Sequence, residues 1–130
     1  MLKKGVTKLI AEANAVIDTV AVHDAIPMLG DEDVAIIDIR DDTERAQNGE
    51  IPRAIHAPRG LLEFLADPET ALHKPVFSSG KTLLLFCATG GRSTLAAKTL
   101  MDMGLSNVAH IGGGFAAWLE AGGPVDNGKP

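Results

Sequence analysis

Lys81-Thr82-Leu83-Leu84-Leu85-Phe86-Cys87-Ala88-Thr89-Gly90-Gly91-Arg92-Ser93-Thr94-Leu95-Ala96-Ala97-Lys98-Thr99-Leu100-Met101 decides the fold of this 130-residue chain. Residues 82–87 run apolar without polar alternation, the pattern of a strand buried on both faces. Residues 92–103 read as a helix, ended by Gly104. The only cysteine, Cys87, therefore falls where a central strand ends, on a small-residue loop that opens a helix. A helix start offers unpaired N–H groups and the positive end of the dipole. Gly90 and Gly91 let that backbone curl until several N–H groups converge, and Arg92 adds a permanent cation. Each favours thiolate over thiol, and the thiolate is the nucleophile. The competing reading of Cys87 is a small buried hydrophobe; the Gly-Gly-Arg context favours chemistry.

Outward from this stretch, Val34-Ala35-Ile36-Ile37-Asp38 and Val108-Ala109-His110-Ile111 are two more buried strands. Residues 19–22 form a short strand, and 51–58, with Pro52 and Pro58, a short or edge strand. Helices are expected over 7–16, 23–29, from Asp41 or Asp42 to Gln47, over 60–66 and over 115–121. The segment 67–80, with Pro68, Pro75, Ser78, Ser79 and Gly80, is the most loop-like, with one helical turn allowed at 69–73. Strands alternating with helices give an α/β fold with a parallel sheet covered on both faces. One domain spans 1–130, with a core over about 7–124 and a disordered tail at 125–130. Loops after parallel strands gather at one edge, where ligands of such sheets bind.

Net charge is −5, from 12 basic and 17 acidic residues, with no basic stripe, which argues against nucleic acid as a partner. One cysteine excludes an internal disulfide, a Cys-x-x-Cys pair and a multi-cysteine zinc site, and fits a reducing, cytoplasmic setting. Met1-Leu2-Lys3-Lys4 is basic, but Glu12, Asn14 and Asp18 interrupt any apolar stretch of a secretory signal. No apolar run reaches the roughly 20 residues of a membrane helix. His23, His56, His73 and His110 lack metal-ligand spacing, so no metal is expected. A cysteine acidified by a helix start and an arginine needs no histidine base.

Four blocks, in order, resemble the rhodanese family, specifically its single-domain sulfurtransferases. They are Ile36-Ile37-Asp38-Ile39-Arg40 with Glu44, Gly49-Glu50-Ile51-Pro52-Arg53-Ala54-Ile55, Cys87-Ala88-Thr89-Gly90-Gly91-Arg92-Ser93, and His110 to Trp118 followed by Gly122-Gly123-Pro124-Val125. The resemblance covers nearly the whole chain. It implies a mostly parallel five-stranded sheet and a Cys87 that accepts a sulfane sulfur and becomes a persulfide. It implies a small anionic donor such as thiosulfate and a cyanide or thiol acceptor, with an acceptor protein as a further option, and no metal or organic cofactor. Related phosphatases of the same fold use Cys-x5-Arg, which makes room for phosphate. The Cys-x4-Arg loop here favours attack on sulfur. Many members have Gly-His-Ile-Pro-Gly-Ala where this chain has Gly49-Glu50-Ile51-Pro52-Arg53-Ala54, so the roles of Arg53 and Arg59 are open. A second, inactive domain like that of the two-domain enzymes is absent, so a more exposed pocket is expected.

The substrate-binding set is then Ala88, Thr89, Gly90, Gly91, Arg92 and Ser93, whose N–H groups hold the terminal sulfur. Arg92 either binds the leaving anion or fixes the loop through carbonyls. Ser93 either donates into the pocket or caps the helix, and Thr89 reaches the pocket if the loop curls. Asp38 and Arg40 are supporting residues: the acid anchors neighbouring loops and the arginine neutralises it. Arg59 either lines the pocket mouth or stays solvated. Phe115 and Trp118, at i and i+3, mark the core face of the last helix, and Gly112-Gly113-Gly114 a tight turn bordering the cysteine loop. A protein-to-protein sulfur carrier, a phosphatase or arsenate reductase, and a non-catalytic binding module are the alternatives. The last of these relatives typically lose the cysteine that this chain keeps.

Overall fold

The computed structural model describes residues 1–127. Its five strands are β1 (Asp18–Val20), β2 (Val34–Asp38), β3 (Ile55–His56), β4 (Thr82–Phe86) and β5 (Val108–Ile111). Its helices are α1 (Val6–Asn14), α2 (Val22–Ala25), α3 (Asp42–Asn48), α4 (Leu62–Ala66), α5 (Gly91–Asp102) and α6 (Gly114–Glu120). The strands form one sheet in the order β1-β5-β4-β2-β3, and every pairing is parallel. The sheet is thus wholly parallel, where the resemblance implied a mostly parallel one.

The unbroken apolar run of β4 has its physical cause in this layering. Leu83, Leu85 and Cys87 pack with Ile37, Ile39, Leu62, Ala96, Ala97 and Leu100 on one face. Leu84 and Phe86 pack with Ile36, Ala109, Ile111, Phe115 and Trp118 on the other. A residue of either parity loses water, so alternation is lost too. β2 and β5 have the bounds read from sequence. β3 is only two residues long, because Pro52 and Pro58 lack the N–H a longer ladder needs. The helix expected over 23–29 stops at Ala25 and tightens into a 3-10 turn over Ile26–Gly30, where Pro27 interrupts it.

Of the expected tail 125–130, residues 125–127 are placed: Asp126 makes an antiparallel bridge to Glu50. Residues 128–130 lie outside the described residues. Arg53 holds φ 68°, the left-handed region, which accounts for glycine in many members at this position. Arg53→Gly should therefore raise stability by about 0.5–1 kcal/mol in urea titrations, through relief of the side-chain clash with its own backbone.

Candidate active site

The loop after β4 curls around its own sulfur. Cys87 is buried, 1% exposed, and its Sγ accepts N–H bonds from Gly90 at 3.1 Å and from Ser93 at 3.4 Å. Ser93 Oγ lies 3.6 Å from Sγ. Gly90 makes this possible at φ 109°, a conformation costly for any residue with a Cβ. Gly90, not Ser93, is the N-cap of α5, and no side chain caps that helix. Ser93 therefore lies inside the first turn, and the sulfur itself receives its otherwise orphaned amide. The capping role expected as one option for Ser93 does not occur. Thr94 Oγ1 instead donates to the Gly90 carbonyl at 2.8 Å and fixes the turn.

The last glycine turn locks the loop from the far side. The Phe115 and Ala116 amides at the start of α6 donate to the carbonyls of Cys87 at 2.8 Å and Ala88 at 3.0 Å. The Cys87 and Ala88 carbonyls are thereby turned toward α6, and the Gly90 and Ser93 amides toward the sulfur. Two cavities flank the loop and share Thr89 in their walls. One, of about 440 Å³, has Arg40, Ala88, Phe115 and Leu119. The other, of about 320 Å³, has Asn14, Thr19, Gly90, Gly91, Thr94 and His110. Thr89 thus faces open space on both sides of the curl.

Arg92 is committed to a partner 48 positions away. Its Nη1 and Nη2 donate to the two Glu44 carboxylate oxygens at 2.6 and 2.7 Å. Glu44 is presented by α3, whose capping box pairs it with Asp41. The guanidinium, with help from the Asp41 amide, holds the Glu44 carboxyl down at about 2 against the opposing effect of burial. The Glu44 contact, and more weakly the charge of Cys87, push the Arg92 guanidinium higher still. Arg92 so ties α3 to the cysteine loop, a contact that neither option read from sequence included. Ionised Glu44 stabilises the folded chain fully above its ordinary value of 4.5, and that contribution fades as pH falls toward 2. Glu44→Gln should cost about 1 kcal/mol at pH 7, a screened value for a partly exposed pair. Denaturant titrations of both proteins should converge as the pH is lowered from 4.5 toward 2.

Asp38 and Arg40 form a buried pair on the sheet face that carries Phe86 and Phe115. Asp38 accepts from Arg40 Nε at 3.0 Å and Nη2 at 2.8 Å, and Arg40 Nη2 also donates to the Gly49 carbonyl at 2.8 Å. The guanidinium carbon stands 4.2 Å from the Phe115 ring centroid and 5.3 Å from that of Phe86. The pair holds the α3–β3 connection and makes no bond to Cys87. Arg59 is not at the pocket mouth. Its guanidinium bonds Glu63 at 2.9 Å and Thr99 at 3.3 Å, two turns along α5 from the loop, because its own amide is pinned to the Ile39 carbonyl. Among the described residues no cluster of three or more His, Cys, Asp or Glu is placed to hold a metal. None of their helices is long and apolar enough to cross a membrane.

The residue that sequence reasoning passed over is His110. It is 3% exposed, in a strand whose four residues are all buried. Ser93 Oγ lies 2.9 Å from its Nδ1, and Thr19 Oγ1 lies 3.1 Å from its Nε2. Burial pushes its imidazole below the ordinary 6.5, so the ring is neutral at pH 7. A histidine inside a fully apolar strand was the available signal, since such a ring needs hydrogen-bond partners.

A rhodanese-like domain model matches residues 21–121. A sulfurtransferase of Allochromatium vinosum is 32% identical over 94 residues, 72% of this chain and 79% of that protein. Among solved structures, a Rhodopseudomonas palustris protein of unknown function, described as a possible tyrosine phosphatase, superposes with TM-score 0.94 at 46% identity over 97% of each chain. The polysulfide-sulfur transferase homodimer of Wolinella succinogenes superposes with TM-score 0.67 at 29% identity, over 89% of this chain and 82% of that one. The match over most of the chain, carried by a parallel sheet and a sulfur cradled at the start of α5, places this protein in the rhodanese-like family of sulfurtransferases.

Proposed function

We propose that the protein moves a sulfane sulfur from thiosulfate, or from a persulfide, to a thiophilic acceptor through a persulfide on Cys87. The observation that carries this reading is the convergence of the Gly90 and Ser93 amides on Cys87 Sγ, at 3.1 and 3.4 Å. In the first step the thiolate attacks the outer sulfur of thiosulfate. A new S–S bond forms, the old one breaks, and sulfite leaves with its electron pair. The amides of residues 88–93 then surround the terminal sulfur anion and stabilise its charge without a metal. In the second step cyanide or a thiol attacks the terminal sulfur and Cys87 returns as thiolate, a two-step covalent cycle.

The tyrosine phosphatase suggested for the R. palustris relative is the competing reading. Two features argue against it here. The loop has four residues between Cys87 and Arg92, and no acid stands within it to protonate a leaving phenoxide. Arg92, which would clamp a phosphate, is instead held by both oxygens of Glu44.

Intact-mass analysis after thiosulfate, on native protein and Cys87→Ser in parallel, tests the proposal. Native protein should gain one sulfur and lose it as thiocyanate when cyanide is added, while the variant should gain none. Equal sulfur transfer by both proteins would overturn it. So would Cys87-dependent aryl-phosphate hydrolysis without any sulfur loading. Slow loading from thiosulfate with fast transfer to a protein thiol would make the domain a protein-to-protein carrier.

A further inference from the structure

The Cys87 thiol is buried, and the atoms around its sulfur pose a problem of proton balance. The Gly90 and Ser93 amides are donors and take no proton. Arg92 is a cation occupied by Glu44. Among the described residues hydrogen-bonded to the sulfur, Ser93 Oγ, at 3.6 Å, is the atom with a lone pair to take its proton. Ser93 Oγ is in turn 2.9 Å from His110 Nδ1, and Nε2 on the other side of the ring meets Thr19 Oγ1 at 3.1 Å, both residues lining the 320 Å³ cavity. A continuous path therefore joins the buried sulfur to open space on the α1 side of the loop.

We infer that Ser93 and His110 form a proton relay that carries the Cys87 proton away from the sulfur and into this cavity. His110 acts through Ser93 and not on the substrate, so it is a positioning residue for the reaction of Cys87. The inference rests on the proposal that Cys87 is the nucleophile.

Hydrogen-bond geometry assigns the two end states. Thr94 Oγ1 donates its proton to the Gly90 carbonyl at 2.8 Å and has none to offer His110. With Cys87 as thiol, S–H points to Ser93 Oγ, the Ser93 O–H chooses His110 Nδ1 at 2.9 Å over the Gly90 carbonyl at 3.2 Å, which Thr94 already occupies, and Nε2–H donates to Thr19 Oγ1. On activation the S–H proton passes to Ser93 Oγ as the Ser93 proton passes to Nδ1. The Nε2 proton leaves to water or a buffer base in the cavity. The ring ends as the Nδ1–H tautomer donating to Ser93, whose O–H now donates to the thiolate. One proton leaves the protein, and no electrons are gained or lost. A ring that burial keeps neutral is suited to passing a proton on and unsuited to storing it.

Among the described residues nothing charged competes for the ring. Thr19 faces it from β1, Ser93 and Thr94 from α5, and Asn14 across the cavity from α1, while its register partner on β4 is Leu85. Asp18 of β1 is exposed, Glu12 of α1 is paired with Lys4, and Arg92 of α5 with Glu44.

Alkylation of Cys87 by iodoacetamide, followed from pH 5 to 9, tests the relay without any sulfur donor. It therefore separates failure of the relay from failure of the sulfur-transfer reading. Ser93→Ala removes the O–H that the thiolate end state receives, and His110→Asn removes the ring that turns that O–H toward the sulfur, so each should move the midpoint of the pH–rate curve up by about one unit, with alkylation about tenfold slower below the native midpoint. Ser93→Ala combined with His110→Asn should match either single variant, since both cut one path. A His110→Asn protein with the native pH profile would overturn the relay, as would effects of the two variants that multiply. Should His110→Asn fail to fold, ¹⁵N-histidine spectra of the native and Ser93→Ala proteins decide the matter. The His110 ring should pass from the Nε2–H to the Nδ1–H tautomer as rising pH takes the proton from Cys87, in the native protein only. Unchanged ring signals in the native protein would overturn the proposal.

Discussion

Asp38→Ala should bring this protein to the edge of unfolding, with a loss of about 3–5 kcal/mol. Arg40 is 1% exposed, and its Nη1 is already buried without a hydrogen-bond partner among the described residues. Asp38 is the counter-charge. It accepts from the Arg40 amide, Nε and Nη2, and lies 3.5 Å from Arg45 Nε. Truncating the carboxylate leaves a guanidinium in the core with the Gly49 carbonyl and two aromatic rings as company. The rings lower its energy by too little to replace an anion. Such a loss is a large part of the stability of an ordinary domain. Removing both charges, as Asp38→Ala with Arg40→Met, should recover about half of the loss or more, because the cost lies in the orphaned charge and less in the lost pair. Urea titrations of native, single and double variants check this. A double variant no better than Asp38→Ala would show that the pair itself carries the stability.

Gly114→Ala should do comparable damage by another route and should also slow sulfur loading. Gly114 sits at φ 61°, and a Cβ there would lie 2.6 Å from the Cys87 carbonyl oxygen and 2.9 Å from the carbonyl carbon and oxygen of Ala88. All three atoms are backbone, so no side chain can swing aside. Either α6 or the cysteine loop must retreat. The bonds from the Phe115 and Ala116 amides to those carbonyls must then stretch. Left-handed strain and overpacking together should cost about 3 kcal/mol. Retreat of the loop by about 1 Å should slow loading about a hundredfold. Gly60→Ala is the control, since a Cβ there meets nothing within 4 Å. Denaturation midpoints and the rate of sulfur gain measure the two effects. Native loading by Gly114→Ala would mean that α6 does not hold the loop in its working form.

The parts of the fold legible in sequence are those where one segment states its own environment. Leu83 to Phe86 and Val34 to Ile37 declare burial on both faces, and Gly104 declares the end of α5. The order β1-β5-β4-β2-β3 is not written in any segment, because it follows from which edges remain after the crossovers close. The sulfur cradle was legible for the same local reason: Cys87, Gly90 and the start of α5 lie within a few residues. What joins it to its surroundings was not. Glu44 claims Arg92 across 48 positions, and His110 reaches Ser93 across 17, through contacts that only the folded sheet creates. Arg59 failed as a pocket residue because direction depends on the turn after β3, which residue type does not reveal.

β1 pairs only with β5, and Thr19 and His110 meet across a separation of 91 residues. During synthesis β1 emerges long before its sole partner and stays without a ladder until β5 and α6 have left the ribosome. The Cys87 and Ala88 carbonyls wait for α6 as well. A nascent or truncated chain that stops before Ala116 therefore carries the cysteine loop with at least one of its two α6 bonds unmade.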